Sequence, residues 1–484
     1  MSTVITQDRI NFQQEQDHLL QVILNERFFK TWEKPCETSF DTPPGNLELY
    51  ITSTCNQRCE YCYLVKYPDL YPKEYNNKEL IMQNLERVYN WIIENNWHLQ
   101  QIEFYTGEIW HTPWGLEVLE LTIEYLKRGL SVTEFLIPTN ASFARDRVQR
   151  EKVCRLANQI DALGSHLTLS FSVDGLILEN MERPLVSGEE KTEEFYETLF
   201  TLSKEYSWAF HPMLSANSAK YWIENYKWWK RELHKHDLPM HAIMILEVRN
   251  DDWGDEELAA LEEFIDFLIK DTLAFHDGDC GSAAEDLFLI NQCYLREGES
   301  FWGDEIPYLP FTLAPCKYYH GCTVATSMTL RLGDLAICPC HRTAYNKNLY
   351  GWLTVDEEGK IAGIKANNPQ QAVKILMMNN QISTPGCDTC FYRELCLGGC
   401  LGMQMETMGD PMRINEKVCR LEKTKYKATL KALKKYGIFD WLDKNISAYH
   451  VWYPEWMLIK KLDENIQKEE RRERLAKLRA DFYS

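Results

Sequence analysis

Cys55, Cys59 and Cys62 fall within one eight-residue stretch, Cys-Asn-Gln-Arg-Cys-Glu-Tyr-Cys. Three thiolates on one loop suit soft metal chemistry, and the number matters. A 4Fe–4S cluster normally takes four protein thiolates, one per iron. A loop offering three leaves one iron open to another ligand. The competing reading is a zinc knuckle or a set of buried thiols. Zinc, however, wants a tetrahedral set of four, commonly in pairs two residues apart. The Cys55–Cys59 spacing is one residue longer than that, and no histidine follows nearby.

A second constellation lies far downstream. Cys387-x2-Cys390-x5-Cys396-x3-Cys400 is followed by Cys419 and preceded by Cys316, Cys322 and Cys338. Eight thiolates complete two four-cysteine sites, either two 4Fe–4S clusters or two structural zincs, since ligand type alone does not separate the metals. Eleven of the sixteen cysteines crowd residues 276–420. The N-terminus carries no basic and apolar export signal, and in a reducing compartment clustered cysteines mean metal or catalysis before disulfides. The expected location is cytoplasmic.

These residues need a frame to position them. From residue 47 to about 275, short β-rich runs alternate with helical periodicity. The strands are expected at Leu47–Ser53, Gln101–Tyr105, Val132–Ile137, His166–Val173, Ala209–Leu214 and His241–Leu246. The paired helices are expected at Glu79–Asn95, Gly115–Arg128, Arg145–Ile160, Glu193–Tyr206, Ala219–His234 and Glu256–Ala274. Six strand–helix units make an α/β fold, a partial (β/α)6 TIM-like barrel with its active site at the C-terminal strand ends. Cys55 falls just past the first strand. The expected division is an N-terminal segment (1–46), the barrel (47–275), a cysteine-rich domain (276–425) and a helical C-terminal extension (426–484). In the third part, Thr329–Cys338 reads as a hairpin turning at Gly333-Asp334. The chain of 484 residues is 45% hydrophobic and 26% charged, an ordinary globular composition. Its formal charge of −19 argues against a nucleic-acid surface, and no long apolar run argues for a membrane span.

The cysteine triplet, with aromatic Tyr61 before its last member, resembles the signature of the radical SAM enzymes. Further elements resemble that family in order at successive strand ends. Thr106-Gly107-Glu108 is similar to a Gly-Gly-Glu element with Thr in place of the first Gly. Thr139-Asn140-Ala141 is similar to Thr-Asn-Gly, and Ser172-Val173-Asp174-Gly175 to Ser-x-Asp-Gly. The resemblance implies that the open iron binds S-adenosylmethionine (SAM). Glu108 would then meet its amino group, Gly107 would allow close approach, and Ser172 and Asp174 would bond the ribose. Asn140 and Tyr61 would line the site, and Arg183 would steady the carboxylate. The later cysteines resemble the SPASM domain. That resemblance implies two auxiliary clusters, one on Cys316, Cys322, Cys338 and Cys400, the other on Cys387, Cys390, Cys396 and Cys419. It covers roughly residues 45–425.

The same resemblance implies a peptide or protein substrate, three 4Fe–4S clusters, and an external electron donor such as flavodoxin or ferredoxin. Full thiolate ligation of the auxiliary clusters favours outer-sphere electron transfer, hence oxidation or crosslinking of a ribosomally made peptide. Formylglycine formation, as in sulfatase-maturing enzymes, is the alternative. Those enzymes place an acidic residue after the third ligand of the first auxiliary cluster, where this chain has Pro339. Cys340 or His341 then becomes the proton-handling group, histidine being suited to it near neutral pH; a spare thiol and a surface loop residue are the plain alternatives. The segment before the first strand reads as too short for a leader-binding winged helix, so a separate leader-binding protein is expected, or the two ends serve. Another class, a non-catalytic iron–sulfur carrier or a zinc-held binding module, stays open. Trp222, Trp228 and Trp229, like Trp452, Tyr453 and Trp456, read as core before peptide platform.

Overall fold

The computed structural model describes residues 46–67, 76–105, 107–284, 327–338, 340–344, 349–367, 386–387, 389–390, 392, 401–410, 413–445 and 453–483. Of the expected ligands, Cys316, Cys322, Cys396 and Cys400 lie outside these residues, as do the N-terminal segment, Thr106, Pro339 and Trp452.

Strand β1 (Asn46–Tyr50) is buried along its whole length. Leu47 and Leu49 join the main apolar cluster, whereas the alternate residues Glu48 and Tyr50 do not. That alternation gives one face to helices and the other to the barrel interior. Parallel strands β2 (His98–Tyr105), β3 (Ser131–Thr139), β4 (His166–Phe171) and β5 (Ala209–Phe210) follow in sheet order. A short helix α1 (Tyr63–Lys66) follows the cysteine loop. Between the strands run α2 (Lys78–Glu94), α3 (Gly115–Lys127), α4 (Arg147–Asp161), α5 (Leu176–Glu182) and α6 (Glu193–Tyr206). Their starts obey local chemistry: the Asn77 side chain accepts from Leu80 N at 3.1 Å, and Asp146 accepts from Val148 N and Gln149 N.

The last two barrel strands differ from expectation. Ala209–Leu214 splits into β5 and β6 (Met213–Leu214) around His211-Pro212, where the proline has no N–H for a ladder. The sixth strand reduces to β7 (Leu246–Glu247), paired parallel with β6, because Met240–Ala242 forms a 3-10 turn. Helices α7 (Trp222–Lys235) and α8 (Asp255–Phe275) complete the six units. Trp222, Trp228 and Trp229 are buried core residues, and so is Trp456.

Beyond residue 275 the same sheet continues. β8 (Ser327–Arg331) pairs parallel with β1 on the side away from β2. β9 (Ala336–Cys338) returns antiparallel, with Thr329 opposite Cys338, so the expected hairpin forms. β10 (Gly351–Val355) and β11 (Ile361–Ala366) end the nine-stranded order. The tail is helical: α9 (Leu401–Met408), α10 (Glu416–Lys435), α11 (Ile438–Asn445) and α12 (Tyr453–Tyr483). The stretch of α12 from Arg471 to Ala480 is exposed throughout, a solvated charged helix. Among the described residues, no helix is long and apolar enough to cross a membrane.

Candidate active site

The cysteine loop leaves the C-terminal end of β1 and turns into α1, with Cys62 N donating to Cys59 O at 3.1 Å. Backbone bonds tie it to the chain after α5: Arg58 N donates to Pro184 O at 3.0 Å, and Val186 N donates to Asn56 O at 2.9 Å. Burial pushes the Cys55 thiol up to about 12, with the Glu108 charge adding to it. Burial also raises Cys59, and the neighbouring Cys62 and Cys55 raise it further although Arg183 opposes them. Sulfurs that resist ionising side by side fit a cationic iron core, which takes up thiolate charge directly.

Gly107 packs against this loop. Its φ is +60°, and a Cβ there would stand 2.4 Å from Thr54 O, so only glycine fits. Glu108 N donates to Thr54 O at 2.8 Å. The Glu108 carboxyl, 1% exposed, accepts from Thr139 Oγ1 at 2.8 Å, Asn140 N at 2.7 Å and Trp110 N at 3.3 Å. Burial nevertheless raises it to about 7, the bonds from Asn140, Thr139 and Trp110 opposing. Asn140 Nδ2 donates to Asn56 Oδ1 at 2.7 Å and lies 3.8 Å from Cys55 Sγ. The ends of β1, β2 and β3 thus converge on the triplet. Ala141 takes a left-handed φ of 59°, a conformation that glycine adopts at less cost than alanine.

In the Ser-x-Asp-Gly segment, Asp174 is fully buried, and both its oxygens are engaged. Met213 N and the Tyr61 hydroxyl each donate to it at 2.8 Å, and Arg183 Nε lies 2.8 Å from the same oxygen as Tyr61. Both Asp174 oxygens thus have partners within the protein. Ser172 is half-buried, its N–H donating to Thr139 O at 2.7 Å. Arg183 stands 5.3 Å over the Tyr61 ring, so Asp174 holds both side chains beside Cys59. Beneath them, Glu179 pairs with Lys191 in full burial and accepts Asp174 N at 2.6 Å.

A second polar cluster lies inside the barrel wall. His341 stacks on Tyr105 with ring centroids 4.3 Å apart and planes 10° from parallel. Its Nδ1 lies 3.4 Å from Glu48 Oε2, which also accepts His341 N at 3.2 Å and Thr329 Oγ1 at 2.5 Å. Burial would raise the Glu48 carboxyl, but the His341 charge and the bonds from His341 and Thr329 hold it below the usual range. Its β2 neighbour Glu103 is pushed up to about 8 by burial and by the Glu48 charge. Cys340, the other candidate for handling the proton, is 6% exposed within the main apolar cluster. His341 keeps a side chain 24% exposed.

Of the described cysteines expected to serve as auxiliary ligands, Cys338 is buried at the end of β9, and burial raises its thiol to about 12. Cys390 N donates to Cys387 O at 3.1 Å, and burial raises the Cys419 thiol on α10, with nearby Cys390 adding to it and Lys423 opposing.

Glu48, Glu103, Tyr105 and His211 come to these clusters only in the fold. Glu48 and Glu103 were detectable as lone acids inside apolar strand runs. His211 gave no such signal: it follows β5, its Nε2 is buried without a hydrogen bond, and burial with nearby Arg183 lowers it to about 4.

No family model matches the chain, and no curated protein matches it in sequence. Solved structures do match. The hexahistidine-tagged form of anSMEcpe with bound AdoMet is 17% identical, with a TM-score of 0.55, covering 85% of this chain and 99% of that one. Native anSMEcpe with bound AdoMet and Cp18Cys peptide is 16% identical at a TM-score of 0.51, covering 81% and 99%. Streptococcus suis SuiB bound to precursor peptide SuiA matches at 15% identity and a TM-score of 0.43, covering 78% and 76%. anSMEcpe is an anaerobic sulfatase-maturating enzyme of the radical SAM SPASM type. This chain has that fold, a partial TIM-like barrel.

Proposed function

We propose that this chain is a radical SAM oxidoreductase that modifies a ribosomally made peptide by oxidation or crosslinking. The observation that carries the reading is convergence: Glu108 and Asn140 reach the three-cysteine loop from the ends of β2 and β3, and Arg183 reaches it from the end of helix α5. When bound, a 4Fe–4S cluster with SAM supplies the 5′-deoxyadenosyl radical that abstracts a hydrogen atom. The protein's part is to hold and shield. Gly107 lets the β2 exit lie against the cysteine loop. Asn140 sits at Cys55, and Arg183, held by Asp174, puts a fixed cation beside Cys59 for the SAM carboxylate. Ser172 is assigned the ribose, and His211 Nε2 stands ready near Arg183.

The reading includes two auxiliary 4Fe–4S clusters with the ligand sets implied by the SPASM resemblance, a separate leader-binding partner and a flavodoxin- or ferredoxin-like donor. His341 is the group that takes the proton. The likeness to anSMEcpe, including its peptide-bound form, supports a peptide or protein substrate. It also makes formylglycine formation the second reading.

Anaerobic reconstitution tests this directly. Roughly twelve irons per chain, SAM-dependent release of 5′-deoxyadenosine and a mass change in a precursor peptide are expected. Cys59→Ala should abolish SAM cleavage while keeping auxiliary iron. Two zincs with no SAM cleavage would end the proposal, and conversion of a sulfatase peptide alone would select the second reading.

A further inference from the structure

We infer that Glu48 is the positioning residue of the proton-accepting histidine, holding His341 as a carboxylate–imidazole dyad inside the barrel wall. The inference rests on the proposed radical oxidation. It names how that site disposes of its proton.

The geometry is over-determined. Glu48 belongs to β1, whose neighbours β2 and β8 are both in register with it, at Glu103 and Thr329. It is 1% exposed, so its carboxylate is anchored on a central strand. One oxygen, Oε2, gathers the Thr329 hydroxyl, His341 N and His341 Nδ1. Tyr105 covers one face of the imidazole. Nδ1 is therefore the ring nitrogen that carries hydrogen toward Glu48, and Nε2 is the basic one. Nε2 makes no hydrogen bond among the described residues. A carboxylate on Nδ1 sets the tautomer and favours the imidazolium formed when Nε2 takes a proton.

Hydrogen-atom abstraction breaks one substrate C–H bond and leaves a carbon radical. An auxiliary iron–sulfur cluster, held by Cys338 and the other cysteines that the resemblance assigns to it, would accept one electron from that radical, and His341 Nε2 would take one proton. The product is oxidised by two electrons. Among the described residues, the charged and titratable groups around His341 and its Glu48 partner include Glu103 and Tyr105 from β2, Tyr63 from α1 and the Cys338 thiol from β9. Neighbouring Arg342 pairs with Glu406 of α9 at 2.8 Å and lies over Tyr63. Glu48 alone among them bonds the ring.

The test compares wild type, Glu48→Gln and His341→Gln as reconstituted holoenzymes. The readout independent of turnover is carbethoxylation of His341 by diethyl pyrocarbonate against pH, followed by mass spectrometry of its peptide. With the Nδ1 contact to the Glu48 carboxylate gone, the modification curve of His341 should differ from wild type in Glu48→Gln, carbethoxylation being several-fold faster at a given pH. In turnover, product formation should fall about tenfold or more. Release of 5′-deoxyadenosine should persist, uncoupled from product, in both variants. Should Glu48→Gln fail to fold, Glu48→Asp, which withdraws the charge by one methylene, should give a smaller change in the same direction. An unchanged modification curve in the folded variant, or unaltered product formation in His341→Gln, overturns the dyad. Loss of SAM cleavage in wild type would sink the proposed function while the modification curve still reads the dyad.

Discussion

At the scale of single residues, the site depends on where buried polar atoms find partners. Gly107 is the sharpest case. In Gly107→Ala the new methyl meets Thr54 O, and the backbone keeps a φ that alanine resists, costing about 1–3 kcal/mol. Thermal unfolding and SAM binding should both weaken. Glu103 gives a pH prediction whose sign follows from its raised value. A carboxyl at about 8 in the folded chain, against 4.5 for the ordinary group, stabilises the fold fully below about pH 4.5. That contribution is lost as pH rises through 8. Glu108, raised to about 7, adds to the same slope. Glu103→Gln should therefore flatten the fall in melting temperature between about pH 5 and about pH 8 without abolishing it. An unaltered slope would mean that Glu103 is ionised in the fold.

At the scale of elements, the hairpin β8–β9 is what joins the cysteine-rich part to the barrel. β8 lies against β1, so the strand that carries the first cysteine loop also carries Glu48 toward His341. Helix α2 fastens the hairpin's turn from outside: buried Asn84 Nδ2 donates to Leu332 O at 2.6 Å and Asn84 Oδ1 accepts from Arg87. Asn84→Leu strands the Leu332 carbonyl and should cost about 1–3 kcal/mol. Hydrogen exchange should rise in residues 329–338 before it rises in β3 and β4. Uniform exchange across the sheet would contradict that coupling. The six strand–helix units were legible because short β-rich runs alternate with helical periodicity, and two of the helices, α2 and α4, also carry a capping side chain at their start. The split of the fifth strand at Pro212 and the shrinkage of the sixth were not, since they depend on how the sheet's edge closes.

At the scale of the whole molecule, α10 links Cys419, proposed above as an auxiliary ligand, to the barrel's last strand. Lys425, buried on that helix, lies 3.1 Å from Glu247 of β7 and 2.9 Å from Glu422. Lys425→Met leaves two buried carboxylates with less compensation and should destabilise the fold by about 3–5 kcal/mol. The melting temperature of the reconstituted protein measures it. A neutral result would mean that Arg249, 3.7 Å from Glu422, carries the compensation.

What could be determined from sequence was local and additive: cysteine spacing, strand–helix alternation, and the short Gly, Glu, Asn and Asp elements at strand ends. Such signals survive because each is written within a few consecutive residues. Only the tertiary structure decided which polar groups meet across the chain. Asp174 reads as a ligand in its tetrapeptide, and in the fold Tyr61, Arg183 and Met213 from distant segments meet it. Cys340 and His341 are neighbours in sequence, yet one faces apolar core and the other a carboxylate 293 positions away. Burial and partner choice arise from long-range packing, and no run of neighbouring residues encodes them.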